Sequence, residues 1–298
     1  MPSFRSVCPT LLLLILSFSI STFGQDDEVV TVDSSVVVVN ATITDSAGRH
    51  VPGLKQNQFT IVENGVEQEI NFFAAEETPF AAVILLDTSG SMEQRVSMAR
   101  SAAIRFLDGL RESDNAEIYR FDSKVSLVQK FSNSRDVSDK LFDLKSEGMT
   151  ALNDAVFQAA QDLATRPEKR RAIIVLSDGM DTYSGRSADK ALKAAQAANA
   201  LIYTVDMSAV DSSGKQRVQN QGVLRNFAVK TGGTFIATPG GAAMRTAFEK
   251  IVEELGVQYT LAYQPKNLAK DGKWRTVELR VAKPSLTIRT RKGYHAGR

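Results

Sequence analysis

The stretch Phe80-Ala81-Ala82-Val83-Ile84-Leu85-Leu86-Asp87-Thr88-Ser89-Gly90-Ser91 decides the fold. It passes without a break from apolar residues to a carboxylate, then to two serines on alternate positions of a tight turn. A short continuous apolar run bounded by a turn suits a strand covered on both faces, as in parallel sheets. Helical patterns follow it. Val96, Ala99, Ala103, Phe106, Leu107 and Leu110 fall on one helical face, and Leu152, Ala155, Val156, Ala159 and Leu163 on another. Met244, Ala247, Phe248, Ile251, Val252 and Leu255 repeat the pattern near the end.

Working outward, further strands are predicted at 117–121, 125–131, 172–176, 201–205 and 234–237, with helices over 187–200, 219–231 and 242–255. Strands alternating with helices indicate an α/β unit, here over residues 80–256, with a mostly parallel sheet covered on both faces. Asp122-Ser123 is too short for a crossover, so 125–131 should return antiparallel, as an edge hairpin.

Both flanks read as β. In 27–78, Val36 to Val39 is a β-branched run, and Asn64-Gly65 is the pair that favours a two-residue hairpin turn. In 257–298, Tyr259, Leu261 and Tyr263 alternate, as do Val277, Leu279 and Val281. Each flank alone is barely large enough for its own core, so the two should pair into one small β-sandwich into which the α/β unit is inserted. Trp274 reads as an anchor of this flank. The basic run Arg289, Arg291, Lys292 and Arg298 reads as a solvated strand edge.

The first 24 residues have the layout of a cleavable signal peptide. Arg5 is followed by the apolar run Leu11 to Leu16, then by small and polar residues up to Gly24. That run is too short for the ~20 residues of a spanning helix. The single cysteine, Cys8, precedes it and would leave with the signal, so neither a disulfide nor thiol chemistry is expected in the mature chain. A formal net charge of +2 over 298 residues gives no argument for a nucleic-acid partner.

The chemistry is concentrated where strands end. Asp87, Ser89 and Ser91 offer a carboxylate and two hydroxyls after the first α/β strand. Ser177-Asp178-Gly179 ends another strand, and Gly148-Met149-Thr150 brings a hydroxyl to a helix start. Ligands of open α/β sheets collect beyond the carboxyl ends of the strands. Oxygen donors of this kind suit a hard cation such as Mg²⁺, whereas only His50 and His295 are available for a histidine site. The same residues have plainer readings: Asp87 and Ser89 as caps of the helix near Glu93, and Asp178 as a turn residue. Asp181, three residues after Asp178, reads either as a further carboxylate behind the site or, more simply, as an exposed loop residue.

Taken together, Asp87-x-Ser89-x-Ser91, Thr150 and Asp178 resemble the metal-ion-dependent adhesion site of von Willebrand factor type A domains. The wider chain resembles bacterial VWFA-related proteins through Val51-Pro52-Gly53-Leu54, Glu63-Asn64-Gly65 and Arg291-Lys292-Gly293-Tyr294. The resemblance implies a doubly wound, six-stranded sheet in the order 3-2-1-4-5-6. It also implies one Mg²⁺ or Mn²⁺ on Asp87, Ser89, Ser91, Thr150 and Asp178, with an open position for a protein partner's acidic residue. The implied protein is an exported, non-enzymatic adhesion or binding module, periplasmic or extracellular. The alternatives are a Mg²⁺-dependent hydrolase or phosphatase and a metal-free scaffold that binds through its β flanks. The chain has no phosphate-binding Gly-rich loop ending in Lys and Ser or Thr, and no G-x-S-x-G surrounds Ser89 or Ser91.

Overall fold

A computed structural model describes residues 36–75, 78–136, 138–208, 214–237 and 241–297, with the side chains of 241–243 and 245 left aside. The signal peptide of residues 1–24 and its Cys8 lie outside the described residues.

The first flank contributes β1 (Val37–Thr44), β2 (Phe59–Glu63), β3 (Val66–Gln68) and β4 (Ile70–Ala74). The α/β unit follows as β5 (Phe80–Asp87), α1 (Val96–Asp108), β6 (Asn115–Phe121), β7 (Val125–Ser132), α2 (Leu152–Ala164) and β8 (Arg170–Ser177). It continues as α3 (Ala188–Ala197), β9 (Ala200–Asp206), α4 (Lys215–Thr231), β10 (Phe235–Ile236) and α5 (Gly241–Val257). The last flank adds β11 (Tyr259–Tyr263), β12 (Trp274–Val281), β13 (Thr287–Thr290) and β14 (Gly293–His295).

The central sheet runs β10-β9-β8-β5-β6-β7. Counted within the unit, that is the order 3-2-1-4-5-6. Its strands are parallel except β7, which pairs antiparallel with β6 at the edge. Every residue of β5 is buried, because helices cover both faces. Phe80, Ala82, Ile84 and Leu86 pack in one core with α1 and α5, whereas Ala81, Val83 and Leu85 pack in the other with α2, α3 and α4. The unbroken apolar run in the sequence is thus two alternating faces, each with its own layer.

The flanks interleave into two antiparallel sheets, β13-β1-β11-β4 and β14-β12-β2-β3. They share one core, in which Val39, Ala41, Tyr259 and Leu261 of the first sheet meet Phe59, Ile61, Val277 and Leu279 of the second. Asn64 and Gly65 take φ of 47° and 84° at the β2–β3 turn, as its two-residue length requires. All of β11 is buried. Its Tyr259, Leu261 and Tyr263 face the sandwich core, while the Thr260 hydroxyl accepts a hydrogen bond from Arg170 Nε of the α/β unit.

Arg170 is fully buried and holds this junction. Besides Thr260, its guanidinium donates to the carbonyls of Leu255 (3.3 Å), Gly256 (3.1 Å), Thr78 (3.4 Å) and Gln258. Those residues belong to both chain crossings between sandwich and α/β unit. Burial pushes the Arg170 guanidinium down to about 10, and Arg111 adds to the fall.

Two arginines of the C-terminal basic run correct the sequence reading, whereas Lys292 is exposed as expected and Arg298 lies outside the described residues. Arg291 is buried and donates to Asn199 Oδ1 at 2.5 Å, and Arg289 pairs with Glu254 of α5 and donates to the Gly232 carbonyl at 3.0 Å. These arginines join the sandwich to the α/β unit instead of edging it toward solvent, because acceptors from α3, α5 and neighbouring turns meet them. Trp274 is a lesser anchor than expected. It is 38% exposed and packs edge-on against His295 outside the sandwich core. Among the described residues, no helix is long and apolar enough to cross a membrane.

Candidate metal centre

β5 and β8 are neighbours, with Leu86 level with Leu176, so Asp87 ends beside Ser177. On leaving them the chain turns in opposite directions, to β6 from β5 and to β9 from β8. This is the switch point where an open sheet forms a crevice.

The Asp87 carboxylate is completely buried there. Oδ1 accepts hydrogen bonds from the Ser89 amide (2.9 Å) and the Ser89 hydroxyl (2.6 Å), and Oδ2 accepts from the Ser177 hydroxyl (2.5 Å). Ser89 Oγ lies 3.2 Å from Ser91 Oγ. Asp87, Ser89 and Ser91 therefore form one contiguous oxygen cluster. Burial pushes the Asp87 carboxyl up to about 7, against the hydrogen bonds from Ser177 and Ser89, and the charge of Asp178 adds to the rise.

The capping alternative does not match this geometry. Ser89 precedes a single 3-10 turn over Gly90–Met92, yet its side chain caps nothing. The Ser89 hydroxyl is turned back to Asp87.

Thr150 and Asp178 lie on two other loops, and the charge of Asp178 is felt at Asp87. Residues 146–150 are stitched to the β5 loop by Glu147 N to Thr88 O (2.9 Å), Gly90 N to Gly148 O (3.2 Å) and the Ser146 hydroxyl to Ser89 O. The same segment is stitched to the β8 loop, since the Thr150 carbonyl accepts from the Thr182 and Tyr183 amides at 2.9 Å each. Thr150 N donates to Thr182 Oγ1 at 3.0 Å. Asp178 Oδ1 accepts from the Met180 amide at 2.9 Å in a tight side-chain turn. Thr150 itself forms no hydrogen bond with the other four candidates among the described residues. Gly179 follows at φ 82°, and a Cβ there would meet the Asn220 carbonyl oxygen at 2.5 Å. Only glycine lets the Asp178 loop pass so close to α4.

Residues 82–180 match the family model of the von Willebrand factor type A domain. The chain contains a von Willebrand factor type A domain. An uncharacterized protein of Synechocystis sp. is 29% identical over 182 residues, which is 58% of this chain and 42% of that protein. The chain thus spans less than half of that relative. A von Willebrand factor type A structure from Catenulispora acidiphila superposes at TM-score 0.51 with 15% identity, over 79% of this chain and 73% of its own. The N-terminal three domains of the type V pili tip protein Mfa5 from Porphyromonas gingivalis superpose at 0.51 with 12% identity, over 87% and 68%. Both likenesses are likenesses of fold.

Within the type A domain, sequence reasoning passed over Ser177 and Ser146. Ser177 comes level with Asp87 only through the register of two strands distant in the chain, which no local pattern gives. Ser146 carried no signal either. Asp181, expected to be an exposed loop residue, instead accepts from the Asn153 amide (2.8 Å) and from the Ser184 hydroxyl (2.7 Å) and amide (3.1 Å). It satisfies the first turn of α2 and so fixes the loop after Asp178.

The donors present fit a hard cation. Among the described residues, no three Asp, Glu, His or Cys side chains converge, so hydroxyls must complete any ligand set. Hydroxyls are what Ser89 and Ser91 supply beside Asp87.

Proposed function

We propose that this chain is an exported, non-enzymatic binding protein of the adhesion type. In this reading it engages a protein partner through a divalent cation held by Asp87, Ser89, Ser91, Thr150 and Asp178. The observation that carries it is one of charge. Asp87 is fully buried, Asp178 acts on it with like charge, and all its hydrogen-bond donors are neutral. A buried carboxylate without a counter-charge is costly, and a cation taking oxygen ligands removes that cost.

Mg²⁺ or Mn²⁺ suits the set, two carboxylates balancing its charge and neutral hydroxyls leaving it electrophilic. Such an ion supplies an open coordination position for an oxygen anion, the Asp or Glu carboxylate of the partner. The chain's own residues prepare the site in advance. Ser177 and Ser89 orient the Asp87 carboxylate, and the main-chain bonds through Glu147, Gly148 and Thr150 hold the loops in mutual register. Preorganised ligands reduce the ordering cost of binding.

The fold shared with a pilus tip protein supports an adhesion-type role. The position of the histidines favours binding over hydrolysis. His50 forms a bridge with Thr44 and His295 lies on β14, both in the sandwich, so neither serves Ser89 or Ser91 as a base. The apolar N-terminal run supports export, to the periplasm or the cell exterior.

Titrating Mg²⁺ calorimetrically into chelator-treated protein tests the reading. Wild type should take up the ion and Asp87→Ala should not, with unchanged helical circular dichroism because the site lies in loops. Equal uptake by both proteins would overturn it.

A further inference from the structure

The loop after Asp178 borders an open cleft of about 480 Å³. Asn153 of α2, Asp181 and Thr182 of the loop, and Gln216, Gln219 and Asn220 of α4 supply its polar lining. Met180 and Val223 supply apolar surface. The volume is within the ordinary range for ligand clefts, about 300–1,000 Å³.

Asn153 gives the cleft its chemistry. It is 9% exposed, and its side-chain oxygen Oδ1 has no hydrogen-bond partner. A buried acceptor left unsatisfied costs about 1–3 kcal/mol, so its retention needs an explanation. The fold supplies none, because only the Asn153 main-chain amide takes part in the α2–loop contact, donating to Asp181 Oδ2 at 2.8 Å. An N–H from outside is what the oxygen lacks.

The rest of the lining narrows the ligand. Asn153 and Gln219 bring carboxamides, groups that both donate and accept, Gln216 donates to Asn220 Oδ1 at 2.9 Å, and no lysine or arginine lines the cleft to favour an anion. The carboxylate of Asp181 is already engaged by Asn153 and Ser184. A neutral group that donates and accepts at once fits best, which describes a carboxamide or a peptide unit.

We infer that the cleft is a second contact site, in which a carboxamide or peptide amide of the partner donates its N–H to Asn153 Oδ1. The inference rests on the binding reading for the identity of the partner, since Gly179 and Met180 of the cleft directly follow Asp178 in the chain. Occupancy of the cleft itself requires no metal.

The test uses the full chain in EDTA, with N-acetyl-glutamine amide as probe and N-acetyl-lysine amide as its cationic counterpart, followed by amide NMR. Glutamine amide should shift signals of Asn153, residues 179–182 and residues 216–223, with a dissociation constant on the order of millimolar, as suits a fragment. In Asn153→Leu the affinity should fall about tenfold or more. The thermal midpoint of that variant should equal or exceed the wild-type value, because an unpartnered buried polar group has been removed, so lost binding is not lost folding. Absence of cleft shifts in wild type, equal affinity in Asn153→Leu, or tighter binding of the lysine amide would each overturn the inference. Glutamine-amide binding without Mg²⁺ uptake would refute the metal site alone, and Mg²⁺ uptake without cleft binding would refute the cleft alone.

Discussion

Replacing Glu117 by glutamine should stabilise this protein at pH 8 and leave it nearly unchanged at pH 4.5. Glu117 lies on β6, level with Val83 of β5, is 6% exposed, and has a side-chain oxygen, Oε2, with no hydrogen-bond partner. Burial pushes its carboxyl from 4.5 up to about 7, and the neighbouring Asp162 adds to the rise, while Arg166 and Lys130 oppose it. The folded chain therefore holds this proton more tightly than the unfolded one. The resulting penalty is absent below about pH 4.5, grows as pH rises, and is complete above about pH 7. At about 1.36 kcal/mol per pKa unit, the ceiling is about 3 kcal/mol. Relaxation of the site brings the expected gain to about 1–2 kcal/mol, or about 2–8 °C in Tm for a chain of this size. Calorimetric melting of both proteins at pH 4.5, 6 and 8 reads the effect. Parallel Tm curves for wild type and variant over that range would refute the reasoning.

Two further perturbations probe the frame. Gly179→Ala combines a positive φ with a Cβ placed 2.5 Å from the Asn220 carbonyl, so it should cost about 1–3 kcal/mol and weaken Mg²⁺ uptake as the Asp178 loop shifts; an unchanged denaturation midpoint would show that the loop has room to spare. Arg170→Met should cost about 3 kcal/mol or more, because it strips donors from the Thr260 hydroxyl and from the Leu255, Gly256 and Gln258 carbonyls. Calorimetry of that variant should show an earlier transition, and wild-type melting would mean that the junction is held elsewhere.

What could be read from the sequence was whatever depends on neighbours along the chain. The alternation of β5 with its helices, the antiparallel return of β7 and the positive-φ turn at Asn64-Gly65 all follow from local periodicity and turn chemistry. Asp87, Ser89 and Ser91 were legible together for the same reason, lying within one turn. The start of α4 was not. Its opening residues Lys215-Gln216-Arg217 have no apolar period, so the helix was expected from 219 and begins at Lys215. Ser177 meets Asp87 across 90 positions, and Arg291 meets Asn199 across 92. No window of sequence contains such pairs, and a polar residue met alone on a loop or edge strand reads as solvated. Asp181, Arg289 and Arg291 were misjudged for that reason.

The junction at Arg170 has a consequence for how this architecture can change. Strands β4 and β11 pair antiparallel, with Ala74 opposite Thr260, and the whole α/β unit enters between them. One guanidinium touches the chain on its way in at Thr78 and on its way out at Leu255, Gly256 and Gln258. Topologically, the type A domain occupies the tip of an ordinary β-hairpin. Excising it and closing the gap with a short turn would leave a hairpin whose strands are already in register. Domain insertions are tolerated where the two ends of the guest lie together. The sandwich can thus be regarded as an interchangeable socket, which a recombination event could empty or refill without disturbing its own strand order.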